Sequence, residues 1–301
     1  MASNLPTATS PPADGREVKY VDTIDAYDQW AEVYDTDGNF LQALDTLEMQ
    51  SLLPKFLSLL DISNNTAGLK IIDLGCGTGR NTIPLIRAAT CTATIVGLEP
   101  SRKMLQIARE RVARYLASVA AAPAPATKEG ENLTAGIVAA IEQQQQQQQV
   151  QLHDSRVSLH LYNLLDYGSA EGEGTPGSVI ENADGVISTL VMEHVPLDKF
   201  FGAVGGMLKK SGVLLVTNMH SEMGSISQAG FVDPKTGVKI RPTSYAHTVA
   251  EMVEAAEDAG FEVVGHIKEV KVDEDLAAKL GRRAEKWIGV QAWYGGCFRK
   301  K

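Results

Sequence analysis

Long apolar runs, secretory signals and paired cysteine motifs are all missing from the 301-residue sequence. No stretch approaches the roughly 18 apolar residues that cross a bilayer, so we expect no membrane partner. The first residues carry neither a basic segment nor an apolar core, so we expect no secretory signal. Cys76, Cys91 and Cys297 lie too far apart for a metal or redox motif. These absences predict a cytoplasmic or nuclear protein.

Clusters of basic residues are missing as well. Lysine and arginine number 28 against 37 acidic residues, which leaves a net charge of −9. Nonspecific nucleic-acid affinity comes from clustered basic side chains, so we expect no nucleic-acid partner. An apolar fraction of 44% and a charged fraction of 22% are ordinary for a globular protein.

Two segments differ from the rest of the chain in composition. Residues 1–19, with many proline, serine, threonine and alanine residues, are predicted to be a disordered tail before a single domain over residues 20–301. Residues 118–154 contain an alanine–proline run and seven consecutive glutamines. Such a tract buries too little apolar surface to offset the entropy of ordering it. We predict a surface insertion; the alternative is a partner-binding arm.

Short β-rich runs alternate with helical patterns, which is typical of a parallel sheet covered by helices on both faces. Ser101 is a predicted N-cap for the helix after the second strand. Thr248 and Glu251 form a predicted capping box, and Gly260 can end the helix that the box opens. The loop-rich residues 220–245 predict a lid or hairpin. The predicted strands are residues 69–74, 94–99, 157–162, 185–190, 213–219, 261–272 and 290–298.

Three glycines, Gly75, Gly77 and Gly79, follow the first of these buried strands, where they let the backbone approach a ligand closely. A dinucleotide-binding fingerprint would have a further small residue at position 80, but Arg80 stands there, which weakens an NAD interpretation. The next strand ends in Glu99, whose carboxylate can accept hydrogen bonds from both hydroxyls of a ribose. The two features together favour an adenosine ligand without a pyrophosphate.

The same residues resemble the class I S-adenosylmethionine (SAM)-dependent methyltransferases. The segment Asp73-Leu-Gly-Cys-Gly-Thr-Gly79 is similar to the first motif of that family, and Glu99 corresponds to its ribose-binding acid. Residues 183–196 resemble the family's fourth-strand motif, and residues 207–212 resemble the turn before its fifth strand. The resemblance implies SAM as the cofactor. It also implies an α/β, Rossmann-like fold with a seven-stranded, mostly parallel sheet, helices on both faces and an antiparallel last strand.

The resemblance further implies which residues surround the cofactor. Residues 163–166 follow the third strand, where the family has an acid beside the adenine amino group. Tyr27, Trp30 and Tyr34 form an aromatic helix face that either packs on the core or covers SAM as a lid. This segment resembles the opening of the methyltransferase-like proteins encoded near the Williams–Beuren region and of quinone-biosynthesis methyltransferases. The implied cofactor-binding residues are Tyr27, Tyr34, Asp73, Gly75, Cys76, Gly77, Gly79, Glu99, Pro100, Met104, Asn163, Leu165, Asp166 and Leu190.

Methyl transfer needs a general base only when the acceptor arrives protonated. Ligands of α/β sheets bind beyond the carboxyl ends of the strands, which favours His194, with its neighbour Glu193, and His220 and His247 as catalytic candidates. Some quinone-pathway relatives bind a cation at a Glu-x-x-Glu-His element. Here Leu190 stands at the first glutamate position, so we expect no metal site.

The sequence therefore predicts a SAM-dependent methyltransferase that acts on an O, N or C atom of a small-molecule acceptor. The glutamine tract is more usual in eukaryotic proteins, which favours a specialised metabolite as that acceptor. Arg80 either pairs with the carboxylate of SAM or is a solvated surface residue. We expect a monomer or homodimer. Two alternatives stay open: a SAM-fold regulatory or scaffold protein, and an enzyme that methylates protein side chains.

The insertion hypothesis leads to a deletion experiment. Joining Ser118 to Asp154 through a short glycine–serine linker should leave the melting temperature and the SAM affinity nearly unchanged, because loop length enters stability only logarithmically. Thermal melting and calorimetry measure the two quantities. A large loss of SAM affinity in the shortened chain would show that the tract packs against the active site.

Overall fold

The computed structural model describes residues 17–60, 68–89, 92–120, 156–168 and 177–301. Its strands are β1 (Val18–Tyr20), β2 (Lys70–Leu74), β3 (Thr94–Glu99), β4 (Val157–Leu161), β5 (Ala183–Thr189), β6 (Leu208–Met219), β7 (Phe231–Val232), β8 (Lys239–Arg241), β9 (Phe261–Lys271) and β10 (Gln291–Lys300). Its helices are α1 (Thr23–Trp30), α2 (Phe40–Leu59), α3 (Thr82–Ala88), α4 (Arg102–Ala120), α5 (Gly177–Ile180), α6 (Leu197–Met207), α7 (Ser221–Ile226), α8 (Val249–Asp258) and α9 (Glu274–Leu280). Short 3₁₀ turns occupy Leu164–Asp166, Met192–His194 and Arg282–Trp287.

A seven-stranded sheet forms the centre of the fold, in the order β4-β3-β2-β5-β6-β10-β9. The first five of these strands are parallel, and β10 runs antiparallel to both β6 and β9. This confirms the predicted α/β fold with an antiparallel last strand. The chain moves outward from β2 to β4 and then returns to the other side of β2 with β5. A crevice at such a switch point is where α/β sheets bind ligands.

The local sequence signals agree with the structure at several helix ends. The Ser101 hydroxyl accepts a hydrogen bond from the Met104 amide at 3.2 Å, as an N-cap does. Thr248 and Glu251 form the reciprocal capping box, and Gly260 follows that helix with a φ of +83°. The fifth predicted strand, residues 213–219, corresponds to β6, which begins earlier, at Leu208. The register shifts at a bulge near Ser211 (φ +64°), and beyond this bulge Leu208 pairs with Ala183 of β5.

The two compositionally unusual segments lie largely outside the described residues. Of the predicted tail, residues 1–16 are outside, and its last residues belong to β1, which pairs with β8. Of the predicted insertion, residues 118–120 complete α4 and the remainder is outside.

A second, small sheet forms a cover beside the central sheet. It contains β1, β8 and β7 in that order, and β7 and β8 make an antiparallel hairpin within residues 220–245. Buried Phe231 and Ile240 from this hairpin pack with Ala26 and Trp30 of α1 and with Met104 of α4. None of the helices among the described residues has the length and apolar character of a membrane-spanning segment.

The carboxylate of Asp45, on α2, is completely buried and joins four parts of the fold. Its Oδ1 accepts hydrogen bonds from the Thr217 hydroxyl of β6 at 2.5 Å and from the Trp293 indole of β10 at 2.9 Å. Its Oδ2 lies 2.7 Å from the guanidinium of Arg80, which follows the glycine loop. The buried charge is therefore matched by one cation and two neutral donors.

Removal of this carboxylate should destabilise the whole domain. We expect Asp45→Ala to lower the free energy of unfolding by about 3 kcal/mol or more, because it removes two charge-assisted hydrogen bonds and the partner of Arg80. Chemical denaturation measures the change. Asp258→Ala, at an exposed helix end, is the control and should stay within about 0.5 kcal/mol of wild type. Equal small losses in both variants would contradict the assigned role of Asp45.

Candidate functional site

A cavity of about 500 Å³ lies where β2, β3, β4 and β5 end. This first cavity has a volume within the roughly 300–1,000 Å³ range of small-molecule and cofactor sites. The strand ends contribute its floor, and α1 and the loop before α8 contribute further walls through residues such as Ile24, Tyr27, Thr243 and Tyr245. The small sheet and its neighbouring segments therefore close the ligand-binding edge of the large sheet.

Glu99 ends β3 with its carboxylate held by two backbone amides. Oε2 accepts from the Gly77 amide at 2.9 Å, and Oε1 accepts from the Ser101 amide at 2.9 Å. Each oxygen keeps a lone pair for a further donor, as binding of a ribose diol requires. Burial raises the pKa of Glu99 to about 7, although the two amide hydrogen bonds lower it.

The glycine loop is shaped by close packing and by left-handed backbone. Gly75 has a φ of +72°, and a Cβ there would lie 2.3 Å from the Val191 side chain. Gly77 has a φ of +55° and lines the cavity. Gly79, with a φ of +82°, instead packs on α4, since a Cβ would lie 3.4 Å from the Ala108 Cα. Gly79 therefore brings helix and loop together and does not line the cavity, contrary to expectation.

A small extension of about 20 Å³ reaches beneath the glycine loop and is lined by Asp73, Cys76 and Arg80. Asp73 accepts a hydrogen bond from the Thr82 hydroxyl at 2.6 Å, and burial raises its pKa to about 6. Burial also raises the pKa of the Cys76 thiol. Arg80 is engaged by Asp45, so its charge is already matched within the protein.

His194 closes a hydrogen-bonded chain above the first cavity. Its Nδ1 lies 2.7 Å from the Thr243 carbonyl oxygen, which can only accept, so Nδ1 carries the proton. Its Nε2 must then accept from the Tyr27 hydroxyl, 2.8 Å away. Burial lowers the pKa of His194 to about 4 and raises the pKa of Tyr27. Both ring nitrogens of His194 are hydrogen-bonded, so neither is free to take a proton in this geometry. The side chain instead joins α1 to the loop before α8.

The other two candidate histidines line neither this cavity nor the larger one described below. His220 caps α7 by accepting from the Glu222 amide at 3.0 Å, and its Nε2 lies 2.9 Å from Glu269. His247 stacks on Tyr245 and donates from Nε2 to the Val195 carbonyl at 3.0 Å. Both imidazoles therefore have structural partners in place of a substrate.

Most of the implied cofactor-binding residues come together. Met104 is an exception because it is buried beneath α1, and Asp166 is another because its side chain is exposed beyond the 3₁₀ turn. Asn163, which caps that turn through the Leu165 amide, takes the cavity-facing position. Of the implied cofactor-binding residues, those that line the first cavity are Tyr27, Tyr34, Gly75, Gly77, Glu99, Pro100, Asn163, Leu165 and Leu190.

Sequence reasoning missed several residues around this cavity. Asp28 accepts a hydrogen bond from the Ser101 hydroxyl and so ties α1 to the start of α4. Asn81 donates to the Thr189 hydroxyl at 2.7 Å and fixes the end of β5 against the glycine loop. Thr243 and Tyr245 could have been found from the sequence, since they lie in residues 220–245, the predicted lid or hairpin.

A second cavity, of about 560 Å³, adjoins the first. Tyr27, Tyr34 and Leu190 line both cavities. Two stacked aromatic pairs line the second cavity. The ring centroids of Trp30 and Phe231 are 5.2 Å apart, and those of Phe40 and Trp287 are 6.2 Å apart. The described part of the chain holds no group of three His, Cys, Asp or Glu side chains placed to share a metal ion.

Comparison with known proteins shows the family. Residues 71–160 match the model of a methyltransferase domain. An uncharacterised methyltransferase of Emericella nidulans is 46% identical over 298 residues, which cover 94% of this chain and 92% of that protein. An uncharacterised methyltransferase of Bacillus cereus is 33% identical over 87 residues, or 29% of this chain and 37% of that one.

Solved structures with similar folds include magnesium protoporphyrin IX methyltransferase from Synechocystis with bound S-adenosylhomocysteine (SAH). It has 16% identity, a TM-score of 0.49, and coverage of 92% of this chain and 94% of that chain. A SAM-dependent methyltransferase from Mesorhizobium loti has 16% identity, a TM-score of 0.48, and coverage of 82% and 96%.

The chain belongs to the class I SAM-dependent methyltransferases, and the predicted enzyme class and cofactor are confirmed. The residues present fit SAM. Glu99 offers two amide-held carboxylate oxygens for a ribose diol, and Gly77 leaves the space beside it open. The extension beneath the glycine loop continues the first cavity on the side of Asp73 and Arg80.

The raised pKa of Glu99 predicts that SAM binding weakens in mild acid. Both ribose hydroxyls would donate to the ionised carboxylate, so the protonated form, populated below about pH 7, should bind less well. From about pH 8 to about pH 6 we expect calorimetry to show up to about a tenfold loss of SAM affinity. At about pH 8, Glu99→Ala should weaken binding by about 10- to 150-fold.

Glu99→Gln is the matched control for the pH effect, since it has no carboxyl group to titrate. Its SAM affinity should be nearly flat down to the pKa of Asp73, about 6. A pH-independent affinity in the wild type, or a wild-type affinity in Glu99→Ala, would contradict the ribose-binding role.

Proposed function

We propose that the enzyme methylates a small molecule bound in the second cavity, while SAM occupies the first. The observation that carries this proposal is the border that the two cavities share, where Tyr27, Tyr34 and Leu190 line both of them. A donor in one cavity and an acceptor in the other can come into contact between these side chains. The second cavity has the size of a ligand site for a small molecule, and its aromatic pairs suit an apolar body.

SAM supplies a methyl group on a positively charged sulfur, so the chain's own task is mainly to align the reactants. Glu99, Gly77 and the glycine loop hold the donor in this proposal, and the Tyr27–His194 hydrogen bond fixes α1 above the junction. Alignment of this kind can lower a barrier by roughly 7–11 kcal/mol. Leu190 at the junction is buried, and Tyr27 and Tyr34 are half-buried, which limits the access of water to the reacting atoms.

A labelling experiment tests the class of acceptor. The protein is mixed with methyl-labelled SAM and a cell extract, and the extract is then separated into small-molecule and protein fractions. We expect the label in small molecules, in amounts that fall with Glu99→Ala. Label confined to protein would favour side-chain methylation, and no transfer in either fraction would favour a regulatory or scaffold role.

A further inference from the structure

Neighbouring residues in the 3₁₀ turn after β5 face different cavities. His194 lines the first cavity, and Glu193 lines the second. The imidazole of His194 has both nitrogens bonded, whereas the buried Oε2 of Glu193 has no hydrogen-bond partner among the described residues. The Glu193 side chain is only 3% exposed. Buried carboxylate oxygens are normally satisfied, so this one is available to a ligand.

The backbone of Glu193 is fixed on both sides. Its amide donates to the Asn218 side-chain oxygen at 3.0 Å, and its carbonyl accepts from the Tyr245 amide at 2.7 Å. The residue is thus held between β6 and the loop before α8. The backbone therefore fixes the carboxylate at the edge of the second cavity, which the residue lines.

Groups of several elements surround the carboxylate. His194 Nε2 lies 3.6 Å from Oε1, and this imidazole is neutral. Burial, together with the negative charge of Asp45 on α2, raises the pKa of Glu193 to about 8. No lysine or arginine of the described residues forms an ion pair with Glu193. The remaining titratable groups that interact with it are the buried phenols Tyr27, Tyr34 and Tyr294.

We propose that Glu193 binds the methyl acceptor through an O–H or N–H group and receives its proton. The acceptor is then a hydroxyl or amine compound with an apolar, aromatic-compatible body, which distinguishes it from a carbon acceptor. This inference rests on the proposed function, because it assigns the acceptor to the second cavity. The lone Oε2 supplies the hydrogen-bond acceptor, and the stacked pairs around Trp30 and Phe40 supply the apolar walls.

The methyl transfer needs only the donor, the acceptor and Glu193. The acceptor's oxygen or nitrogen forms a bond to the methyl carbon, the carbon–sulfur bond breaks with its electron pair on sulfur, and the acceptor's proton moves to Glu193. The positive charge of the donor is thereby neutralised. Glu193 ends the step as a carboxylic acid, which loses its proton to water before the next turnover.

The test uses two probes, 2-naphthol and 2-methoxynaphthalene, in the second of which a methyl group replaces the donor hydrogen. Each is titrated by fluorescence into protein loaded with SAH, so that binding is measured without turnover. Above the pKa of Glu193, at about pH 9, we expect wild type to bind 2-naphthol about 10- to 150-fold more tightly than the ether. At about pH 6.5 the carboxyl is protonated, and the preference should shrink to a few-fold.

Glu193→Gln should show the few-fold preference at both pH values while SAH affinity and melting temperature stay near those of wild type. Glu269→Gln makes the same exchange beside His220, outside both cavities, and should keep the wild-type preference. Equal affinities for the two probes in wild type, an unchanged preference in Glu193→Gln, or no binding of either probe would overturn the assignment. The labelling experiment decides the proposed function separately, since it requires neither probe.

Discussion

The buried charge of Asp45 constrains the arrangement of the whole domain. A buried carboxylate needs hydrogen-bond donors or a cation in place of water. Asp45 has such partners on β6, on β10 and at the end of the glycine loop. Its ion pair with Arg80 therefore fixes the loop relative to the antiparallel half of the sheet. Burial raises the pKa of Glu193 and the charge of Asp45 raises it further, so one buried carboxylate contributes both to the stability of the fold and to the electrostatics of the second cavity.

The features that the sequence could predict depend on short-range patterns. The strand before Gly75, the acid at the end of the next strand, and the capping box of Thr248 and Glu251 are all contained in short stretches of chain. Local periodicity and turn chemistry determine such stretches. This explains why the sheet and the position of Glu99 could be predicted, while SAM is implied by the resemblance of the same residues to a known family. The strand ends agree with the prediction to within two residues, except at the bulge near Ser211, where the difference is largest.

The features that could not be predicted depend on contacts between distant segments. By sequence, His194 is a catalytic candidate because it follows a strand at the ligand-binding edge, but in the structure Tyr27, 167 residues away, occupies one of its nitrogens. Arg80 looked like either a cofactor ligand or a surface residue, and Asp45 engages it across two elements. The sequence also does not show which cavity a residue lines, because Glu193 and His194 are adjacent in sequence yet line different cavities. The second cavity itself gathers aromatic rings from four separate segments.

Leu190, which lines both cavities, keeps its side chain at their junction at a cost in conformational energy. Its φ of +57° is unusual for a residue with a side chain, and the strain of such a conformation is about 1–3 kcal/mol. The hydrogen bond from its amide to the Thr217 carbonyl, at 3.0 Å, holds the backbone there. A glycine would adopt this backbone more easily but would leave an opening where the leucine side chain now stands. The leucine side chain therefore sets the width of the opening through which, in the proposed reaction, the donor and the acceptor must meet, and the strained backbone at this position is the cost of that narrowing.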